Sequence, residues 1–368
     1  MIRYLLSLIL VSLACNSYGQ LYLNPGTDTS FAEVKQALQF YSNYLSEFNG
    51  ENIADMSKYW PASELKQRKI PDQLIYAINE YPLYALAYQR TILYIRPTEQ
   101  YVQIKTQFSY IDSLKNIMTM AVTNHYVGFD RNKKPYFINP LTINMANWHS
   151  RIIRNVTFYY PAYHTFNTQR ADSLIAHILK LEKDWSLKPI PIRYYLANDD
   201  DELYKLKGFD YALGMGNRLN PSGISDDKDN QVFCSGLGEN YFHEVVHLYL
   251  NHLYPQSPLR EGLAVFYGGS MGHPLKWHLK RVDQYLLKHP EANLNKLDDF
   301  WYTDPYTNPG SAIKGMLCSL IYNKDGVTGL KRLMKYSNFN DIFENEFQVS
   351  PDHINNFLRT TISDQARP

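Results

Sequence analysis

Cysteine is scarce in this chain, with 3 residues in 368. That excludes a disulfide scaffold, which depends on dense cross-linking in place of a core. An excess of one charge is also missing. The 37 Lys and Arg are matched by 36 Asp and Glu, for a formal net charge of +1. There is no basic surplus to collect phosphates, which excludes the electrostatic footprint of a nucleic-acid binder. With 45% hydrophobic and 20% charged residues, the chain is not a disordered one, which needs low hydrophobicity and high net charge. No internal repeat or low-complexity tract occurs. Past the first 13 residues, no stretch reaches the ~18 apolar residues that a membrane helix requires.

Aromatic residues, in contrast, are plentiful: 31 Tyr, 17 Phe and 5 Trp. Their ordinary use is core packing and half-buried sheet surface; an aromatic ligand groove is the other. The length suits two domains, each able to bury its own core.

The N-terminus reads as an address. Arg3 precedes the apolar run of MIRYLLSLILVSL, and small residues follow at Ser17 and Gly19. This is the layout of a secretory signal peptide over residues 1–19, with cleavage after Gly19. Ala14-Cys15 offers a second reading, a lipid-attached cysteine, although Ser12 stands where such signals usually carry Leu. Cleavage leaves Cys234 and Cys318, whose pairing the sequence cannot fix.

Residues 20–155 read as an N-terminal α+β domain. Phe31, Val34, Leu38, Tyr41, Leu45 and Phe48 recur at helical spacing, and Pro71 to Ala87 reads as another helix. Thr91 to Arg96 and Tyr101 to Tyr110 then form an expected hairpin, followed by strands at Met118 to Val127, Tyr136 to Ile138 and Arg151 to Tyr160. This order resembles the helix-plus-curved-sheet cone of nuclear-transport-factor-like domains. Residues 156–368 form the second domain. Thr168 to Trp185 is an amphipathic helix with Thr168 as its expected N-cap, and Pro189 to Ala197 is a strand. Asp199 to Glu202 opens a short helix. Asp210 to Met215 and Gln231 to Cys234 are short strands, and Asn217 to Asn230 reads as a loop.

The chemistry concentrates in His243-Glu244-Val245-Val246-His247. On a helix the two histidines lie one turn apart on one face, where both can bind one Zn²⁺. Glu244 stands beside them and can take a proton from a metal-activated water. The flanking Tyr241, Phe242, Leu248, Tyr249 and Leu250 make this a largely buried helix, and histidine seldom fills an apolar helix without a partner. A third ligand is needed. The metzincin arrangement would place it at Leu253, with a glycine at Leu250, and is rejected; His252 is one position off. Asp226, Asp227 or Asp229 of the acidic loop is one source. Glu261, opening a second apolar helix after the Pro255 to Pro258 turn, is another, because antiparallel helices on a short loop bring it back beside the histidines.

HEVVH followed by REGLAVFY resembles the gluzincin clan of zinc metallopeptidases, over roughly residues 155 to 340. The resemblance implies a zincin-like metallopeptidase domain with a mostly helical C-terminal half. It implies His243, His247 and Glu261 as ligands of one Zn²⁺ and Glu244 as general base. Gly262 and Ala264 match the small residues of close helix packing. The aminopeptidase G-A-M-E-N-like strand is absent; Gly236 to Asn240 reads GLGEN. Ser311 to Leu320 and Val327 to Tyr336 match paired helices that follow the zinc site in similar proteins. Such enzymes add a Tyr or His donor for the developing oxyanion. Tyr306 is the first choice, with Tyr302, His273 and His278 as alternatives, and Asn251 is a candidate support for His247.

The expectation is therefore an exported, secreted or periplasmic zinc-dependent endopeptidase acting on peptides or proteins, with no nucleic-acid partner and no transmembrane span. The alternative is a catalytically inactive zincin-fold envelope protein with a binding or assembly role, anchored in one version through Cys15.

Overall fold

The computed structural model describes residues 20–48, 54–68, 71–72, 74, 89–213, 215–216, 221–297 and 304–367. The signal-like segment with Cys15, most of the expected Pro71 to Ala87 helix, and Tyr302 lie outside the described residues. The fold is α+β, with a helical C-terminal half. Contacts divide the chain into two units, Met1–Asn147 with Asp201–Arg218, and Trp148–Asp200 with Leu219–Pro368.

The first unit opens with β1 (Gln20–Leu23), α1 (Ala32–Ser46) and α2 (Ala62–Gln67). Then come β2 (Gln89–Pro97), β3 (Val102–Ile111), β4 (Ile117–Phe129), β5 (Pro135–Ile138) and α3 (Pro140–Asn144). The strands pair in sequence order, antiparallel except for β1, which runs parallel to β2. Alternation explains the sheet. Val102, Ile104, Thr106 and Phe108 of β3 are buried, while Gln103, Lys105 and Gln107 between them are not, as expected for a sheet with one covered face. In the same core α1 buries Val34, Ala37, Tyr41 and Tyr44.

The second unit begins earlier than the expected boundary at 155/156. β6 (Trp148–Ile153) and β7 (Val156–Pro161) form one hairpin, so β6 belongs with its partner. The sequence reads Arg151 to Tyr160 as a single strand; Arg154, in the left-handed region at φ 52°, turns the chain back instead. Next, α4 (Thr168–Trp185) packs Ala171, Leu174, Ile178 and Leu181 into the core. Its cap is Asn167, not Thr168: the Asn167 side chain accepts from the Arg170 N–H. β8 (Ile192–Ala197) follows.

The chain then returns to the first unit, which a plan of two consecutive domains did not include. α5 (Asp200–Leu206) leads to β9 (Phe209–Ala212), which pairs with β4 and places Phe209 and Ala212 in the first unit's core. Back in the second unit, β10 (Ser222–Asp226) lies inside the stretch expected to be loop. It pairs antiparallel with β11 (Gln231–Ser235) and forms the edge of a sheet ordered β10-β11-β8-β7-β6. Ser-Gly-Ile-Ser-Asp carries no apolar alternation, because an edge strand with an exposed Ile224 buries little of it.

Among the described residues six α-helices complete the unit: α6 (Phe242–Leu250), α7 (Arg260–Gly268), α8 (Leu275–Lys288), α9 (Pro309–Leu333), α10 (Phe339–Phe347) and α11 (Ile354–Ala366). Gly326, at φ 61° and ψ −150°, breaks α9 where the sequence separates two helices. Cys234 and Cys318 are both free and buried. Burial pushes the Cys234 thiol up to about 12. Among the described residues no helix is long and apolar enough to cross a membrane.

The cap assignment has a direct consequence. Asn167→Ala is expected to cost about 1 kcal/mol of stability, as loss of an N-cap does. Thr168→Ala should cost only a few tenths. Urea midpoints of the two variants check this, and equal effects would return the cap to Thr168.

Candidate metal centre

α6 is buried along its whole length, with Val245, Val246 and Leu248 at 0–1% exposure. Such a helix cannot rotate without exposing core, so its one polar stripe is fixed. That stripe carries His243, Glu244 and His247, at 4%, 5% and 8% exposure. α7 returns beside it after a short connection. Gly262 lets α7 approach α9: a Cβ there would come within 2.5 Å of the Lys314 backbone carbon.

The three expected ligands converge. His243 Nε2 lies 3.2 Å from His247 Nε2. Glu261 reaches both, with Oε1 3.4 Å from His243 Nε2 and Oε2 3.3 Å from His247 Nε2. Their donor atoms all lie within 4.8 Å of one another, the one such group of three among the described residues.

The ring orientations are set from behind. His243 Nδ1 lies 2.6 Å from the Gly269 carbonyl oxygen. A carbonyl only accepts, so Nδ1 carries a proton and Nε2 is the atom turned toward Glu261. His247 Nδ1 donates in the same way to Asn251 Oδ1, at 3.1 Å. Asn251 thus supports His247, as the sequence suggests. Gly269 itself sits at φ 70°, ψ −160°, a region that only glycine occupies readily.

The Glu261 carboxylate faces both Nε2 atoms. Burial alone would lower the His243 imidazole, but the Glu261 carboxylate, with Glu244 and the Gly269 carbonyl, raises it to about 9. Burial would raise the Glu261 carboxyl, but the two histidines hold it well below the usual carboxylate range. The donor set, two imidazoles and one carboxylate, is that of catalytic zinc. With both imidazoles neutral, their Nε2 lone pairs and the carboxylate fit a cation between them, so the residues present suit the ion that the sequence implies.

A cavity of about 320 Å³ opens over these groups. Gly223, Ile224 and Ser225 of β10 form part of its wall, and Tyr241, Ser270 and Met271 line it as well. The Glu244 carboxylate faces the same cavity and makes no hydrogen bond among the described residues.

The remaining sequence candidates fall elsewhere. Tyr306 packs edge-on against His273 and Trp277, at 6.0 and 6.2 Å between ring centres, and is not among the residues lining the cavity. His273 stacks on Trp277. His278 is buried, donating to the Ser270 carbonyl at 2.9 Å and accepting from the Thr307 hydroxyl at 3.1 Å. Asp226 caps the turn after β10 through the Lys228 and Asp229 N–H groups. None of Asp226, Asp227, Asp229 or His252 joins the three-residue cluster. Tyr241, the Ser270-Met271 turn and β10 were not foreseen. Only Tyr241, two residues before His243, had a positional signal.

Comparison of the sequence with known protein families and with curated proteins finds no match.

Two measurements test the centre. His243 titrates near 9 in the fold and at about 6.5 when unfolded. Its charge therefore stabilises the chelator-treated protein fully below about pH 6.5, and that contribution disappears as pH rises through about 9. The melting temperature should fall across this window without zinc and stay flatter with it. Secondly, Asn251→Ala should weaken zinc binding about 10- to 100-fold, read by competition with a chromophoric chelator; unchanged affinity would remove Asn251 from the site.

Proposed function

We propose that the protein is a zinc-dependent endopeptidase of gluzincin type. The observation that carries this reading is the convergence of His243, His247 and Glu261 with Glu244 in one cavity. Zinc held by the three ligands would supply Lewis acidity at a substrate carbonyl and acidify a water. Glu244 is then placed to take a proton from the attacking water and hand it to the leaving amine. A purely structural zinc site has no use for such a carboxylate.

The cavity wall supports a peptide as substrate. Among the described residues β10 pairs with β11 on one side only, which leaves its other edge without a strand partner. An extended peptide can add to such an edge as a further strand. Main-chain pairing is indifferent to sequence, and residues would be selected by Ile224, Ser225 and Met271, which line the same cavity. The Met1 to Gly19 layout supports export, with lipid attachment at Cys15 as a variant that lipid labelling would reveal.

Incubation of the zinc-loaded protein with a mixed peptide library tests the reading. Glu244→Gln should keep zinc and lose about 10²- to 10⁴-fold in cleavage rate, the usual contribution of a general base. Cleavage by the variant at the wild-type rate would sink the mechanism. Zinc binding without cleavage by either protein would favour a binding role.

A further inference from the structure

Tyr241 is where the parts of the centre meet. It precedes α6, and its backbone N–H donates to the Tyr194 hydroxyl on β8, at 3.0 Å. Its ring lies nearly parallel to the His243 imidazole, 7° apart with centres 5.6 Å from each other. β10 crosses the same ring at Gly223, so closely that a Cβ there would overlap Cδ1 and Cε1 of Tyr241 and come within 2.9 Å of Glu244 Cγ. Strand, phenol ring and metal-facing imidazole are thus in successive contact.

The Tyr241 hydroxyl makes another connection. It accepts from the Met271 N–H at 3.3 Å. Ser270 and His273 exchange both backbone hydrogen bonds, at 2.9 and 2.8 Å, around Met271 at φ 49° and Gly272 at φ 78°. A two-residue turn with both central residues left-handed suits glycine at each position. Methionine there is strained and persists because the surroundings hold it. Two groups do so: the Tyr241 oxygen on Met271 and His278 Nε2 on the Ser270 carbonyl, at 2.9 Å. The turn follows directly on Gly269, whose carbonyl orients His243.

We propose that Tyr241 is a positioning residue that keys the peptide-binding strand to the metal ligands. Its ring sets the separation of β10 from His243, and its hydroxyl holds the turn that aims His243. The ring's part rests on the peptidase reading, whereas the hydroxyl's part rests only on the metal centre.

Zinc titration of the chelator-stripped protein reads the hydroxyl. Tyr241→Phe keeps the spacer, so zinc affinity should fall about tenfold, as for other groups that orient a ligand, while KM at saturating zinc stays near wild type. Wild-type zinc affinity in this variant would overturn the clamp. Peptide kinetics read the ring. Gly223→Ala pushes the strand outward, so KM should rise about tenfold with zinc affinity nearly kept. An unchanged KM would overturn the spacer. If Gly223→Ala fails to fold, Gly223→Ala with Tyr241→Leu returns room to the strand. Recovery of the fold supports the contact, and continued misfolding overturns it. A wild-type protein that cleaves no peptide removes the peptidase reading and the spacer with it, and the zinc titration still decides the clamp.

Discussion

Two imidazole nitrogens 3.2 Å apart converge on one buried point. A carboxylate lies 3.4 Å from one and 3.3 Å from the other, and its charge favours the protonated form of His243. Such a point is held only because the groups cannot turn away. The Gly269 carbonyl and the Asn251 side chain fix the rings, and the buried faces of α6 fix the backbone. The hydrophobic core around α6 therefore holds the geometry of the site as well as the fold.

Much of this was legible in the sequence, and the physical reason differs from residue to residue. His243 and His247 follow from helical periodicity, since four residues bring a side chain back to the same face. Chain geometry made Glu261 one of two open sources of a third ligand beside the acidic loop, and the resemblance to gluzincins chose it. Helices α1, α4 and α9 announce themselves through apolar spacing, and the break in α9 through glycine. The domain plan was legible only in outline. A chain that leaves its unit at Asp201 and returns near residue 218 gives no compositional sign of doing so, because Phe209 and Ala212 would fill either core equally well.

What was not legible belongs to the backbone. The Gly269 carbonyl acts through an atom that every residue has. β10 is a strand because β11 offers it a partner, and its polar letters are those of a loop. Tyr306 shows the converse limit. Its residue type suits an oxyanion donor, but its ring faces His273 and Trp277, and no one-dimensional pattern encodes that direction.

The two buried cysteines have a bearing on the life of the chain. Each thiol is surrounded by core, each is free, and burial disfavours the thiolate that oxidants attack. Nothing covalent in the described fold changes between a reducing and an oxidising medium. The same packing can form on either side of a membrane, with no isomerase to sort bridges and no reductant to undo them. For these two thiols, the redox state of the surroundings leaves the described packing as it is.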